Sequence, residues 1–394
     1  MHKVLTLNAG SSSIRFAIFE ARLPPARLLR GNLERAGSDE ATLSVEHGPG
    51  SAPVRIKAAM DKSGSPAGFV LDWLASQPLY ADIAAAGHRV VHGMLRTQPE
   101  KVTPVLLDEL KRIIPFDPEH LPREIELITA LHERRGTLPQ VACFDTAFHR
   151  SMPLVATQLA IPRRYASKGV QRYGFHGLSY TYLMQELTRL GDPAARHGRV
   201  ILAHLGSGAS VAAVRDGACI DTSMGFTPTA GLVMGTRSGD LDPGLMSFLQ
   251  LTDGMTPMQF QTMVNHESGM LGVSETSADA RDLLARERSD PRAAEALGLF
   301  CQQAKKWIGS FAAVLGGIDT LVFSGGIGEH AAPLRERICD GLGFLGIRID
   351  PDANARQAPR ISTDAAPVTV RVMGTDEESV IASETIRLLE LGAT

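Results

Sequence analysis

Cysteine is scarce in this chain: Cys143, Cys219, Cys301 and Cys339 lie far apart and form no CxxC pair or Cys/His cluster. A disulfide framework and a zinc site are not indicated, and buried thiols are expected. Basic residues form no patch, and 40 Lys and Arg against 43 Asp and Glu leave a formal net charge of -3. That disfavours nucleic acid and an anionic membrane surface, so the expected partner is a small molecule. The longest apolar stretch, Phe311 to Phe323, is broken by Gly316, Gly317 and Asp319, and it falls below the about 18 residues a membrane-spanning helix needs. The apolar run that opens at Val4 already stops at Asn8, short of a secretory leader's core, and reads as a first strand of a cytoplasmic protein. Also missing are GxxxxGKS/T, a GxGxxG after the first strand, GxSxG and HExxH. P-loop, Rossmann and hydrolase readings thereby lose their main support.

What is present is ordinary globular composition, 44% hydrophobic and 21% charged over 394 residues, a length at which two domains are expected. Short β-rich runs alternate with amphipathic helices, the pattern of an α/β fold. Ser65-Pro66 and Thr103-Pro104 each supply an N-cap and a proline at the first helical position for the segments that follow. From Glu377 to Leu391, Val380, Ile381, Thr385, Leu388 and Leu389 fall near helical spacing, which predicts a helix packed on a core. A weak internal echo recurs half a chain apart. VLTLNAGSSSIRFAIFE and RVILAHLGSGASVAAVRDGACI each run strand, Gly/Ser turn, strand, as two related domains would. Asp216-Gly217 predicts a tight hairpin in the second copy, and Asp192-Pro193 a surface loop.

Six segments carry candidate chemistry. In LNAGSSSIR, Gly10 frees the backbone while Ser11, Ser12, Ser13 and Arg15 offer donors to phosphate; a serine-rich hairpin turn explains the same residues. GHRVVHG, as a strand, sets Arg89 and Val91 on one face and His88, Val90 and His92 on the other. A cation beside valine suits a carboxylate with a short alkyl tail, although a structural ion pair also accounts for the arginine. VACFDTAFH is an apolar strand ending at Asp145, where open α/β sheets hold ligands or where a carboxylate caps the next turn. RYGFHG sets His176 between glycines that would let an imidazole approach a ligand closely, although a lone histidine is more often structural. GFTPTAGLVMGTRSGDLDPG is rich in glycine and holds one basic residue, Arg237, well situated to meet phosphoryl oxygens. LVFSGGIGEH runs from a buried strand through glycines toward a helix expected from about Ala331, laying backbone against a nucleotide.

In order, LNAGSSS, GHRVVHG, FDTAFH, RYGFHG, DTSMGFTP, MGTRSGDLDPG, SGMLG, GGIGE and TDEE resemble the acetate kinase family from end to end. The resemblance implies an α/β chain of two duplicated domains with the architecture of actin, sugar kinases and heat-shock chaperones (ribonuclease H-like), and an active-site cleft between them. Expected boundaries are residues 1–148 plus 379–394 for an acyl-substrate domain and 149–378 for a nucleotide-binding domain, with hinges near 148–150 and 376–379. It also implies a homodimer that takes ATP, a short-chain carboxylate and Mg²⁺, or Mn²⁺ in its stead. Arg89 and Arg237 would hold the carboxylate and the moving phosphoryl group, with His176 and His120 on phosphoryl oxygens. Asp145 would orient the acyl substrate or metal, and Asn8 and Glu377 would surround magnesium. Val91, Phe175 and Pro228 match the acyl pocket. Ser11, Ser13 and Arg15 would lie along the phosphates, with His204, Gly206, Ser207 and Gly208 also on the nucleotide. Asp279 and Arg281 match adenosine contacts, and Gly326, Ile327, Gly328 and Glu329 the nucleotide loop.

A carboxylic acid with a pKa of about 4–5 is ionised at neutral pH and needs no general base. It needs cations that bring two anions together in line, so direct transfer without a phosphoenzyme is expected. The chain departs from the family pattern at Glu119 and Leu121 in FDPEHLP, where LAPLHNP is common, and at Tyr180, Ser207, His330 and Asp376. Glu119 is expected to turn outward, because a buried carboxylate beside an anionic substrate is unfavourable.

Overall fold

The apolar run from Val4 becomes the buried middle of a sheet. In the computed structural model, which describes residues 2–10, 13–36, 40–48, 50–58 and 65–391, the chain divides into two units, 1–147 with 376–394 and 148–375. The first unit carries β1 (Lys3–Ala9), β2 (Ser13–Glu20), β3 (Ala26–Glu34), β4 (Thr42–Glu46), β5 (Val54–Lys57), β6 (Ile83–Val90), β7 (Glu100–Lys101) and β8 (Gln140–Phe144). They form one sheet in the order β5-β4-β3-β2-β1-β6-β8-β7. Strand β1 pairs antiparallel with β2 and parallel with β6, and β6 pairs parallel with β8. Burial on both faces explains why β8, QVACF, is almost wholly apolar.

Helices α1 (Pro66–Ala75), α2 (Pro104–Arg112) and α3 (Leu121–Arg134) follow in the same unit. Ser65 and Thr103 cap the first two as expected, their hydroxyls accepting from Gly68 N and Leu106 N. The closing helix, Glu377–Leu388, packs against β1 and β6. It approaches so closely that a β-carbon on Gly87 would lie 2.3 Å from Thr385 Oγ1. The helix ends three residues before the expected Leu391, and Leu388 is exposed; Ala382 and Ile386 are buried in its place. Each of Val380, Ile381 and Ile386 gains about 1.5–3 kcal/mol from burial. Asp376 caps this helix through Ser379 N, so residues 376–378 go with the first unit and not with the second, where the sequence reading had them.

The second unit carries β9 (Arg199–Leu205), β10 (Ala209–Arg215), β11 (Ala218–Thr222), β12 (Thr320–Ser324) and β13 (Thr369–Val372), in the order β11-β10-β9-β12-β13. Pairing runs antiparallel, antiparallel, parallel, parallel, as in β3-β2-β1-β6-β8. Asp216-Gly217, both at positive φ, closes the β10–β11 hairpin. The long helix Pro291–Leu315 is capped by Asp290, stopped by Gly316 at φ 70°, and covers β9 and β10 with Leu297, Phe300, Ile308 and Phe311.

Two expectations fail here. Asp192 is buried instead of looped out: it bonds Thr320 Oγ1 at 3.2 Å and pairs with Arg371 Nε at 2.8 Å, tying the segment before β9 to β12 and β13. After β12 the helix does not wait for Ala331; the glycine segment itself is helical over Gly325–His330, breaks at Ala331, and a second helix runs Ala332–Cys339. Gly325 makes that start possible, since its φ of +75° would be strained with a side chain and an added β-carbon would lie 2.7 Å from Leu205 O.

Candidate active site

Arg89 stands near the end of β6 with its side chain 12% exposed, and gives Asp145 Oδ2 two hydrogen bonds, from Nε at 3.0 Å and from Nη2 at 2.6 Å. Burial opposes its charge, but Asp145, Glu377 and Glu124 outweigh that and hold its pKa above the ordinary value. Val91, two residues on, is buried. On β1, Asn8 donates its amide to Glu377 Oε2 at 2.8 Å, and Arg15 Nη2 lies 3.7 Å from the same oxygen. Both are oriented by the β1–β2 hairpin, where Asn8 and Arg15 are register partners. His120 pairs with buried Asp117 through Nδ1 at 2.9 Å. Burial resists ionisation of Asp117, yet the hydrogen bond and charge of His120 keep its carboxyl below the usual range. His88 and His92 on the opposite face are structural: burial pushes each down to about 4, so both are neutral.

In the second unit the turn Gly206-Ser207-Gly208 between β9 and β10 is a hub. A β-carbon added to Gly208 would lie 3.5 Å from His176 Nε2 and 3.6 Å from Arg237 Nη1. Gly235 N donates to Ser207 O at 3.0 Å, and a β-carbon on Gly206 would lie 3.9 Å from Gly326 N. The turn thus gathers His176, Arg237 and the start of the glycine helix. His176 has φ 60° at the start of the helix Gly177–Arg189; its Nδ1 meets Ser210 Oγ at 2.9 Å and its ring lies 4.6 Å from that of His204. Arg237 Nη1 donates to Pro228 O at 3.3 Å. Phe175 is buried, its carbonyl accepting from His149 Nε2 at 2.9 Å.

The arginine loop is packed. Met270 N and Leu271 N donate to Met234 O and Gly235 O, and Ser238 N to Val264 O. Gly269 has φ +64°, and an added β-carbon would lie 2.3 Å from Met234 O and 2.7 Å from Arg237 O. Gly269→Ala is therefore expected to lose about 3 kcal/mol of stability and to lower activity, read by urea unfolding and initial rates. Gly298→Ala, on an open face of the helix Pro291–Leu315 with nothing within 4 Å, is the control, with a gain of up to about 1 kcal/mol.

Other predicted residues sit differently. Asp279 and Arg281 bind one another, with Nη2 to Oδ2 at 2.6 Å, and Asp279 caps the helix Ala280–Arg286; Arg281 is 88% exposed. Ser13 begins β2, while Ser11 lies outside the described residues. Glu119 is half-buried and not turned fully outward. Leu121 is a core residue with Val90, Leu110 and Phe144, and Tyr180 is buried against Ser210 behind His176. Among the described residues no group of three or more His, Cys, Asp or Glu is disposed to hold a metal, and no helix is long and apolar enough to cross a membrane.

Two residues escaped the sequence reading. Glu124 on α3 is buried and accepts from Val91 N through both oxygens, at 3.2 and 3.0 Å. Its position three after Leu121 and four before Ile128, on the buried stripe of α3, was the available signal. Arg335 is fully buried; it donates to the carbonyls of Gly328 and Glu329 at 2.8 Å each and to Asn354 Oδ1 at 2.8 Å and O at 2.9 Å. Nothing in the local pattern distinguishes it from a surface arginine.

The first unit thus holds an arginine–aspartate pair near a buried valine, and the second a glycine turn that collects a histidine, an arginine and a glycine helix. The acetokinase family model matches residues 3–383. The acetate kinase of Rhodopseudomonas palustris (strain ATCC BAA-98 / CGA009) is 42% identical over 396 residues, covering 99% of each chain. The crystal structure of Porphyromonas gingivalis acetate kinase matches with a TM-score of 0.87 at 35% identity, over 99% of this chain and 100% of that one. That of a propionate kinase from Francisella tularensis subsp. tularensis SCHU S4 gives 0.90 at 34%, over 98% and 100%. The chain belongs to the acetokinase family and has the α/β fold of its solved members. It is an enzyme of the acetate/propionate kinase type, transferring phosphate from ATP to a short-chain carboxylate.

Proposed function

We propose that the acceptor is acetate, and that acetyl phosphate and ADP form reversibly by direct in-line transfer. The observation that carries this is Arg89 locked to Asp145 beside buried Val91: a guanidinium fixed at a small apolar surface binds an anion with a short tail. Asp145, accepting twice from Arg89, orients that group. Val91, Phe175 and Pro228 form the acyl pocket in this reading. His176 and Arg237, converging on Gly208, neutralise the moving phosphoryl group, with His120 as a further contact.

The nucleotide is assigned to His204, Gly206, Ser207, Gly208 and Gly326 to Glu329, with Ser11, Ser13 and Arg15 along the phosphates. For adenosine, Asp279 and Arg281 must exchange their mutual ion pair for ligand contacts. Matching strand order and direction in the two sheets support a duplicated-domain architecture, in which this reading gives the acid to one domain and the nucleotide to the other. Asn8 and Glu377 offer hard oxygen donors, which fits Mg²⁺, an ion that takes one or two protein ligands and the rest from phosphate and water. When bound, the ion would neutralise phosphate charge. The homodimer implied by the family belongs to the same proposal, and a monomer in sedimentation equilibrium would remove it.

Initial rates with formate, acetate, propionate, butyrate and glycolate test the acceptor, with glucose and glycerol as hydroxyl controls. Acetate is expected to give the highest kcat/KM, and Glu119→Leu to shift the ranking toward longer acids. Failure of both two- and three-carbon unbranched acids would defeat the reading. ATP turnover indifferent to any acid would point instead to an actin-like ATPase.

A further inference from the structure

Behind the proposed acid-binding arginine sits a carboxylate to which the reaction above gives no part. Glu124 is only 1% exposed, its two oxygens accept from Val91 N, and Oε1 lies 3.8 Å from Arg89 Nη1. Asp145 already takes Nε and Nη2, so Glu124 faces the remaining nitrogen from just beyond hydrogen-bonding range. Around it stand Arg89 on β6, Asp145 after β8, and Asp117 before α3, the last paired with His120 and near His92; Glu377 of the closing helix acts on the same guanidinium. One cation is thus shared by several buried carboxylates, and a bound substrate would add another. Burial first, and then the like charges of Asp117 and Asp145, disfavour the ionised form of Glu124.

We propose that Glu124 is a positioning residue for the carboxylate site: as a neutral acid it braces Val91 and leaves Arg89 Nη1 to the substrate, and when ionised it competes for that nitrogen. The inference rests on the reading that Arg89 receives the acyl carboxylate. Burial pushes Glu124 up to about 8, against the pull of Arg89 and of the Val91 N–H, so the competition falls at accessible pH. Below that value the site is ready. Above it, each substrate anion that binds draws one proton from solvent onto Glu124.

The test is the pH dependence of KM for acetate between pH 6 and 10, with KM for ATP and kcat as internal controls. Acetate itself, with a pKa of about 4–5, does not titrate in this range. For the wild type, acetate KM should be flat below pH 8 and rise about tenfold per pH unit above it, with ATP KM lacking that slope. Glu124→Gln keeps the shape and an acceptor for Val91 N, and should flatten the profile. Equal slopes in the two proteins would overturn the proposal, since a merely structural glutamate would alter KM uniformly. Should the variant fold poorly, calorimetry of acetate binding to the wild type at pH 8.5 in two buffers of different ionisation enthalpy serves instead. Proton uptake supports the proposal and its absence overturns it. If no short acid binds or reacts with either protein, the reading of Arg89 has failed and this inference falls with it, an outcome distinct from a lost slope.

Discussion

Arg237→Ala is expected to lower kcat for acyl phosphate formation by about 10³-fold or more, because in phosphoryl transfer the protein's contribution is chiefly fixed charge held where charge spreads in the transition state. The guanidinium sits with His176 over the Gly208 α-carbon, steadied by Pro228 O. Its loop is held by backbone bonds through Met234, Gly235 and Ser238, so removing the side chain should leave the fold intact and the melting temperature nearly unchanged. Lysine at this position restores a point charge without the planar fork, and partial rescue is expected. The ATP–acetate reaction followed by ADP release measures both variants. A loss smaller than tenfold in Arg237→Ala would remove Arg237 from the chemistry.

Arg89→Ala should damage stability and activity together. Asp145 is fully buried and both hydrogen bonds it accepts from Arg89 would vanish, and Glu124 would lose the guanidinium 3.8 Å from its Oε1. Breaking a buried pair by removing one partner costs about 3–5 kcal/mol. Turnover should fall to background because the acid loses its anchor. The double variant Arg89→Ala with Asp145→Asn separates the two effects: neutralising the stranded aspartate should recover much of the unfolding free energy while activity stays lost. Urea unfolding beside rate measurements reads both, and full activity in the single variant would refute the assignment of the carboxylate to Arg89.

The parts of the fold legible in the sequence were those specified locally. Ser65-Pro66 and Thr103-Pro104 announce helix starts because capping and the proline ring act within one turn. The echo of β1–β2 in β9–β10 was visible because an apolar strand interrupted by small residues has few other solutions. Asp192 was misjudged because its partners, Thr320 and Arg371, are more than a hundred residues away. Glu124 is a different case: a carboxylate is ordinarily solvated, and only the helical period that sets it on the buried side of α3 marks it out. At GGIGEH the glycines suggested a loop, yet a single residue at positive φ allows the helix to begin among them. Asp279 and Arg281 came from resemblance, and here they hold one another.

Arg335 has a consequence for how an empty enzyme meets ATP. Its partners among the described residues are neutral carbonyl and amide oxygens, two of them at the electronegative C-terminal end of the helix Gly325–His330. By drawing the oxygens of Gly328 and Glu329 inward, it holds the peptide planes of that turn in one orientation before any ligand arrives. Counterions cannot reach a group seated that deep, so this brace beneath the proposed nucleotide loop should persist at ionic strengths that silence surface lysines.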